Sequence, residues 1–217
     1  MRVALIAAGA LVALLALAQL VLPRIAASQI SSRVGRYGHV EHVSVSAWPA
    51  VKLLWKHADA VKVTAADLSL SPAQAAALLW EGRDTSRLDI EAASVHVGSL
   101  ALSDATLRKR GAQLEAHATT TQAAAQAALG AGVSVRLIGS SGGRVRVRVG
   151  GSLFGVGASV PAVAEAVDGR LLAHPEGFLI EGFKLTVFAD PHVHVEGVEA
   201  QAAGPASYRL GMRALLG

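Results

Sequence analysis

The chain contains no cysteine, so it has neither a disulfide framework nor thiolate chemistry, and packing must supply its stability. Aromatic residues make up only 4% of it, too few for the stacked platforms that hold single-stranded nucleic acid. No block of five or more basic residues occurs, and a net charge of +4 with a pI near 9.8 is a mild excess. That balance suits an anionic lipid surface and gives no reason to expect nucleic acid. There is no fixed-period repeat and no low-complexity linker, so most of the 217 residues read as one domain.

What the sequence does have is an apolar opening. Val3 to Leu22 is interrupted only by Gly9 and Gln19 among apolar residues. About 20 apolar residues suffice to cross the hydrocarbon core as a helix. Arg2 ahead of the run and Ala16-Leu17-Ala18 within it also fit a signal peptide. Two readings stand: a retained anchor, or a signal removed after export. Leu20, Val21 and Leu22 prolong the run past the cleavage-like triplet and favour the anchor. Either reading puts the remainder on the extracytoplasmic face of the cell membrane, or in the envelope after cleavage. Arg24 and Arg33 follow the run, so this inference rests on position and not on charge asymmetry. The expected organisation is a signal or anchor over 1–23, a helical stalk over 24–38, and a β-rich domain over 39–217.

Within that domain the hydrophobic period is two. Val43, Val45 and Ala47 alternate with His42, Ser44 and Ser46, and Val61 and Val63 resume the pattern. Pro49 opens a predicted helix over Ala50 to Ala58. Ser71-Pro72 is a helix start and Gly82 its stop. Thr121 caps a third helix that ends before Gly130. Further strands are predicted over Arg87 to Val97, Leu100 to Arg108, Gln113 to Ala118, Arg144 to Val149, Leu153 to Val160, Ala162 to Ala173, Phe178 to Ile180, Val193 to Ala200 and Ser207 to Ala214. Asp104, Asp168 and Asp190 read as turn formers. The expected fold is α+β: a long, curved antiparallel sheet with two or three short helices, following an N-terminal apolar helix. Strands apolar on one face must cover that face, and short Ala-rich helices would leave an apolar groove.

Trp48-Pro49-Ala50-Val51-Lys52-Leu53-Leu54 followed by Ala60-Val61-Lys62-Val63-Thr64-Ala65-Ala66-Asp67-Leu68 resembles the LmeA-like phospholipid-binding family of actinobacterial envelope proteins. The Arg144 to Val149 strand, Leu153-Phe154-Gly155 and the hairpin Val167-Asp168-Gly169-Arg170-Leu171 extend the likeness over about residues 1–200. Trp48-Pro49-Ala50 stands where the family usually has Phe-Pro-Phe, and the closing strand Ser207 to Leu216 is apolar where the family's is Gly-rich. The resemblance implies a tubular lipid-binding half barrel acting in envelope maintenance, with no catalytic residues and no cofactor.

The residues themselves point to lipid contacts in one segment above all. On a helix, Val51, Leu54 and Trp55 share a face led by Trp48, with Lys52 and Lys56 opposite. That is the pattern of a helix at a membrane interface, with lysines for the head groups. It is also the pattern of an ordinary helix covering one end of a sheet. Arg144, Arg146 and Arg148 project from one strand face and could grip phosphate, although a solvated outer face is the simpler reading. His192 and His194 flank Val193 at about 7 Å, but a metal needs further ligands; His174 or Glu196 would have to be recruited. His39-Val40-Glu41-His42 lacks the zinc-protease spacing. Gly139-Ser140-Ser141-Gly142-Gly143 matches a nucleophile elbow in letters only, because alternating Arg and Val follow it where a helix is required. The expectation is a non-catalytic phospholipid-binding protein at a membrane surface that holds or transfers acyl chains, with anionic lipid as partner and no metal. A structural or protein-interaction module of an envelope assembly is the alternative.

Overall fold

The computed structural model describes residues 19, 21–55, 57–130, 132–153, 156–176 and 184–217. Lys56, Phe154, Gly155, the strand expected over Phe178 to Ile180 and nearly all of the Val3 to Leu22 run lie outside these residues. No described helix is long and apolar enough to cross a membrane.

Residues 21–34 form a helix. Strand β1 (Gly38–Ser46) leads into a 3-10 turn over Ala50–Trp55, and then come β2 (Ala60–Leu70), α1 (Pro72–Glu81), β3 (Arg87–Val97), β4 (Leu100–Arg110) and β5 (Gln113–Thr121). After α2 (Gln122–Leu129) the strands are β6 (Val133–Ser141), β7 (Arg144–Leu153), β8 (Val156–Val167), β9 (Arg170–Pro175), β10 (Leu185–Phe188), β11 (Val193–Gly204) and β12 (Ser207–Leu216). They make two sheets, ordered β1-β2-β3-β4-β5-β12-β11 and β10-β9-β8-β7-β6. The expected antiparallel sheet is therefore divided, and it contains one parallel pair, β2 with β3. That pair follows from α1, since parallel neighbours need a crossover and α1 supplies it. Ser71 and Gln74 cap α1 reciprocally, Gln74 N–H donating to Ser71 Oγ at 3.2 Å and Ser71 N–H to Gln74 Oε1 at 2.7 Å.

The larger sheet is apolar on one face from edge to edge. Direct register partners form the row Val43–Val63–Ile90–Leu107–Ala116–Met212–Val198. An extra residue interrupts the alternation of β1 to β4 at one level. Register shifts flank Val40, buried positions step by three from Ala65 to Leu68 and from Ala92 to Val95, and a further shift lies between Ser103 and Thr106. Aligned bulges of this kind bend a sheet and increase its twist. Asp104 is the conformational centre of the crease, at φ 50. It is thus a bulge residue inside β4 and not the turn former the sequence suggests. Asp168, at φ 49 before Gly169, does make a turn, and Asp190 accepts the His192 N–H at 2.9 Å in another.

Pro161 lies within β8, where the sequence predicts a break. Its carbonyl faces the β9 side, accepting the Glu176 N–H at 2.7 Å. The β8–β9 ladder stops at Ala162 and Pro175, so the absent proline N–H falls where no partner strand requires it.

The second sheet joins the first through two hairpin turns. Val195 N–H donates to Gly169 O at 2.8 Å and Val198 N–H to Gly143 O at 3.0 Å, which covers the otherwise free edge of β11. Backbones meet here, and a Cβ on Gly197 would lie 3.3 Å from the Gly143 Cα.

Candidate functional site

The curvature turns the apolar face of the large sheet into the floor of a trough. At the end where β2 and β3 begin, residues from both sides of the sheet share one cluster. Val45, Val61 and Leu88 come from one side and Val193, Ala214 and Leu216 from the other, with Ala76 and Leu79 of α1 packed among them. Trp80 stacks on His192 with ring centroids 3.9 Å apart, and the Arg83 guanidinium lies 4.4 Å from the Trp80 ring. This end is filled.

Toward the other end the described residues form two separate clusters. Ala65, Leu68, Ala92 and Val95 form one cluster, with Val34 of the N-terminal helix, Leu102 and Ala105 against it. Val145, Val195, Val198 and Ala200 form a separate one, with Leu137, Val147 and Leu210. Between them the floor is made of small or half-buried side chains. Ala105, Ala116 and Ala118 leave it shallow, and Leu107, Leu210 and Met212 are only partly covered. Across this stretch Ala116 and Ala118 of β5 face Met212 and Leu210 of β12. Among the described residues nothing covers these side chains fully, and this stretch of the apolar face keeps exposed apolar surface.

On the floor, where Thr120 of β5 is also polar and buried, Lys109 is the charged exception. It stands between Leu88 and Leu114 in the filled row, is 1% exposed, and its Nζ donates to Arg83 O at 2.8 Å and to Thr85 O. Burial lowers its pKa below the usual lysine range, and Asp84 partly opposes the shift.

The segment from Trp48 to Trp55 lies at the filled end. The predicted helix over Ala50 to Ala58 is a 3-10 turn over Ala50–Trp55, preceded by a cis Trp48-Pro49 bond. At three residues per turn, Lys52 and Trp55 stand above one another rather than on opposite faces. Val51 and Leu54 belong to this turn, and Lys56 lies outside the described residues. Trp48 is 75% and Trp55 65% exposed, whereas Ala50 is buried and Leu53 packs on the core. Asp59 holds the corner: its Oδ2 accepts the Trp48 N–H at 2.6 Å and its Oδ1 lies 3.5 Å from Lys52 Nζ. The Trp48 N–H is the main reason its carboxyl titrates below the usual range, and Lys52 adds to it. Ala50 N–H donates to the Gln19 side chain at 3.1 Å, so the described part of the N-terminal helix comes beside this corner, and its Val21 and Ile25 are exposed.

The three arginines of β7 lie on the outer face of the second sheet, away from the trough. Arg144 pairs with Glu165 at 2.8 Å and Arg146 with Glu176 at 2.9 Å. Arg148 stands opposite Arg136 of β6. Among the described residues no group of three His, Asp or Glu side chains converges as metal ligands. His192 is stacked on Trp80, while His174 contacts Glu165 at 3.1 Å. The Gly139 to Gly143 stretch closes a hairpin from β6 to β7 through Gly142 and Gly143, with φ 60 and 76, and no helix follows it. On the outer face of the large sheet, a polar cleft of about 120 Å³ is lined by Glu115, His117, Glu199 and Arg213 around Gly211.

Sequence reading missed the alanines of the floor. The alternation of β5 contains them, but alanine at inward positions is as common in a filled core, and only curvature distinguishes the two. The sequence model of the family described as LmeA-like phospholipid-binding matches residues 13–214. Neither a curated protein nor a solved structure matches the chain.

Proposed function

The chain belongs to the LmeA-like phospholipid-binding family, and on that premise we propose that it holds phospholipid acyl chains in the trough between its two sheets. The observation that carries this reading is the half-buried apolar floor of Leu107, Ala116, Ala118, Leu210 and Met212. Each methylene removed from water there contributes about 0.8 kcal/mol, so affinity needs no reactive group, and the protein works without catalysis. Its place is the cell envelope, on the extracytoplasmic face of the membrane, reached through the Val3 to Leu22 run as anchor or signal. The curved sheet serves there as a tubular lipid-binding half barrel, and anionic phospholipids are its partners. Trp48, Val51, Leu54 and Trp55, with Lys52 and Lys56, meet the membrane interface, where tryptophans and lysines are stable together. Arg144, Arg146 and Arg148, on the outer face, would meet head groups of the membrane surface and not that of the lipid held in the trough, the first two in exchange with Glu165 and Glu176.

The test is native mass spectrometry with lipid extraction on the full chain purified from membrane-containing cells. Phospholipid at a defined ratio is expected, and Ala118→Trp, which raises the floor, should reduce it several-fold without unfolding the protein. A monodisperse wild-type protein that stays lipid-free after incubation with anionic vesicles would sink the proposal and leave the envelope interaction module in its place.

A further inference from the structure

The trough has two unlike ends, and the difference assigns a direction to lipid exchange. At the end bearing Trp48 and Trp55 the space between the sheet edges is occupied by the cluster of Val45, Leu88, Val193 and Leu216 with α1 over it. Lys109 tightens that end further, because its ammonium ties down the carbonyls of Arg83 and Thr85 in the loop after α1. Nothing the width of an acyl chain passes through packing of that density without moving several elements.

At the opposite end the covering element is α2. It consists of alanine, glutamine and one leucine, and none of its residues is buried. It reaches from β4 to β6, across the gap between the separate clusters of the two sheets. Its polar contacts lie at its ends, where Gln122 N–H donates to Ala206 O at 2.8 Å and Gly130 N–H to Ala127 O at 3.3 Å. Ala124 N–H donates to the Thr121 cap at 3.1 Å, Tyr208 OH donates to Gln122 Oε1 at 3.2 Å, and Ser99 Oγ donates to Ala128 O at 3.2 Å. Leu129 is exposed at its tip. Eight residues are too few for a helix to persist on its own, so α2 keeps its shape only while it leans on the strands, and little buried surface holds it there. From these contrasts we infer that phospholipid enters and leaves the trough under α2, at the end away from Trp48 and Trp55, with the head group left near Leu129 and Tyr208. The two ends are separated by the length of β3, about 30 Å at the usual rise per strand residue. This rests on the lipid-binding reading above and adds to it that the bilayer met by the tryptophans and the acceptor or donor of the bound lipid are different surfaces.

The absence of cysteine makes the test direct. A single label goes on Leu129→Cys, while Trp48, Trp55 and Trp80, all at the filled end, report that end without modification. The full chain is loaded with a phospholipid carrying a nitroxide on its head group, separated from free lipid, and both fluorescence signals are read in the same sample. Strong quenching of the label at 129 with little effect on tryptophan emission is expected. Quenching of tryptophan with the label untouched, or of neither, overturns the direction of loading although lipid is bound. If no nitroxide remains on the protein at all, the lipid-binding reading fails and the direction fails with it. In the doubly substituted Ser99→Cys, Ala128→Cys chain, oxidation that ties α2 to the turn between β3 and β4 should slow lipid exchange with vesicles at least tenfold, and reduction should restore it. Exchange equally fast in the oxidised form, with no free thiol remaining, also overturns the proposal.

Discussion

Lys109 lies between Leu88 and Leu114 in an otherwise apolar row, and only the tertiary structure explains a charge there. Its ammonium satisfies two carbonyls of the crossover loop, which would otherwise be left without donors as the loop packs over the filled end. Removing that donor costs about 1–3 kcal/mol, so Lys109→Met should lower the urea midpoint at neutral pH although methionine fills similar space. The pH dependence carries a second signature. Burial lowers the lysine pKa in the folded protein relative to 10.5. Between the lowered value and 10.5 the unfolded chain binds more protons, and wild-type stability therefore rises with pH across that window. Below the lowered value both states are protonated and the contribution is flat. Unfolding curves across the alkaline range should show this rise in the wild type and lose it in Lys109→Met; an identical slope in both would remove the role given to burial. In the sequence, Arg108-Lys109-Arg110 looks like a uniform solvated charge run, and strand alternation alone does not say which of the three turns inward.

At the scale of elements, the crease across β1 to β4 decides the shape of the trough. Asp104 adopts φ 50 within β4, a conformation that costs a residue with a Cβ about 1–2 kcal/mol and a branched one more. Asp104→Gly should therefore be neutral or stabilising, and Asp104→Val destabilising by at least about 1–2 kcal/mol. An ordinary strand position would give the reverse order, since valine favours strands and glycine weakens them. Thermal or urea unfolding of the two variants distinguishes the cases. The helices show what local sequence can convey. Ser71-Pro72 and Gly82 delimit α1, and Thr121 caps α2, as their capping chemistry predicts. The turn at Ala50–Trp55 departs from expectation because Asp59 fixes its start by accepting the Trp48 N–H. An amphipathic pattern over so few residues fits a 3-10 turn as well as an α-helix.

For the molecule as a whole, the relation of the two sheets depends on a backbone contact between Gly143 and Gly197. Gly197→Val would press a branched side chain against that backbone, and overpacking of this sort costs about 1–3 kcal/mol. The loss should be local in hydrogen exchange. Amides of Val195 and Val198, which donate to the two hairpin turns, should lose protection while those of Val63 and Ile90 keep it. Uniform loss across both sheets would mean that the joint has no independence. The trough wall formed by Val145 and Val147 depends on the same joint, so the variant should also retain less phospholipid in the extraction assay.

The sequence by itself determined the α+β class, the positions of α1 and α2, most of the strands, and the family, because alternation, caps and short local motifs are properties of neighbouring residues. It also placed Trp48 and Trp55 in a segment of mixed aromatic and basic character. Only the tertiary structure decided that β2 and β3 run parallel, that there are two sheets, that Arg144 and Arg146 spend their charge on Glu165 and Glu176, and that the tryptophan corner lies at the filled end of the trough. Those outcomes depend on which residues meet across many positions of chain. An inward alanine such as Ala118 reads the same whether a neighbouring side chain covers it fully or leaves it half-buried; the bend at the crease and the docking of the second sheet on β11 make the difference.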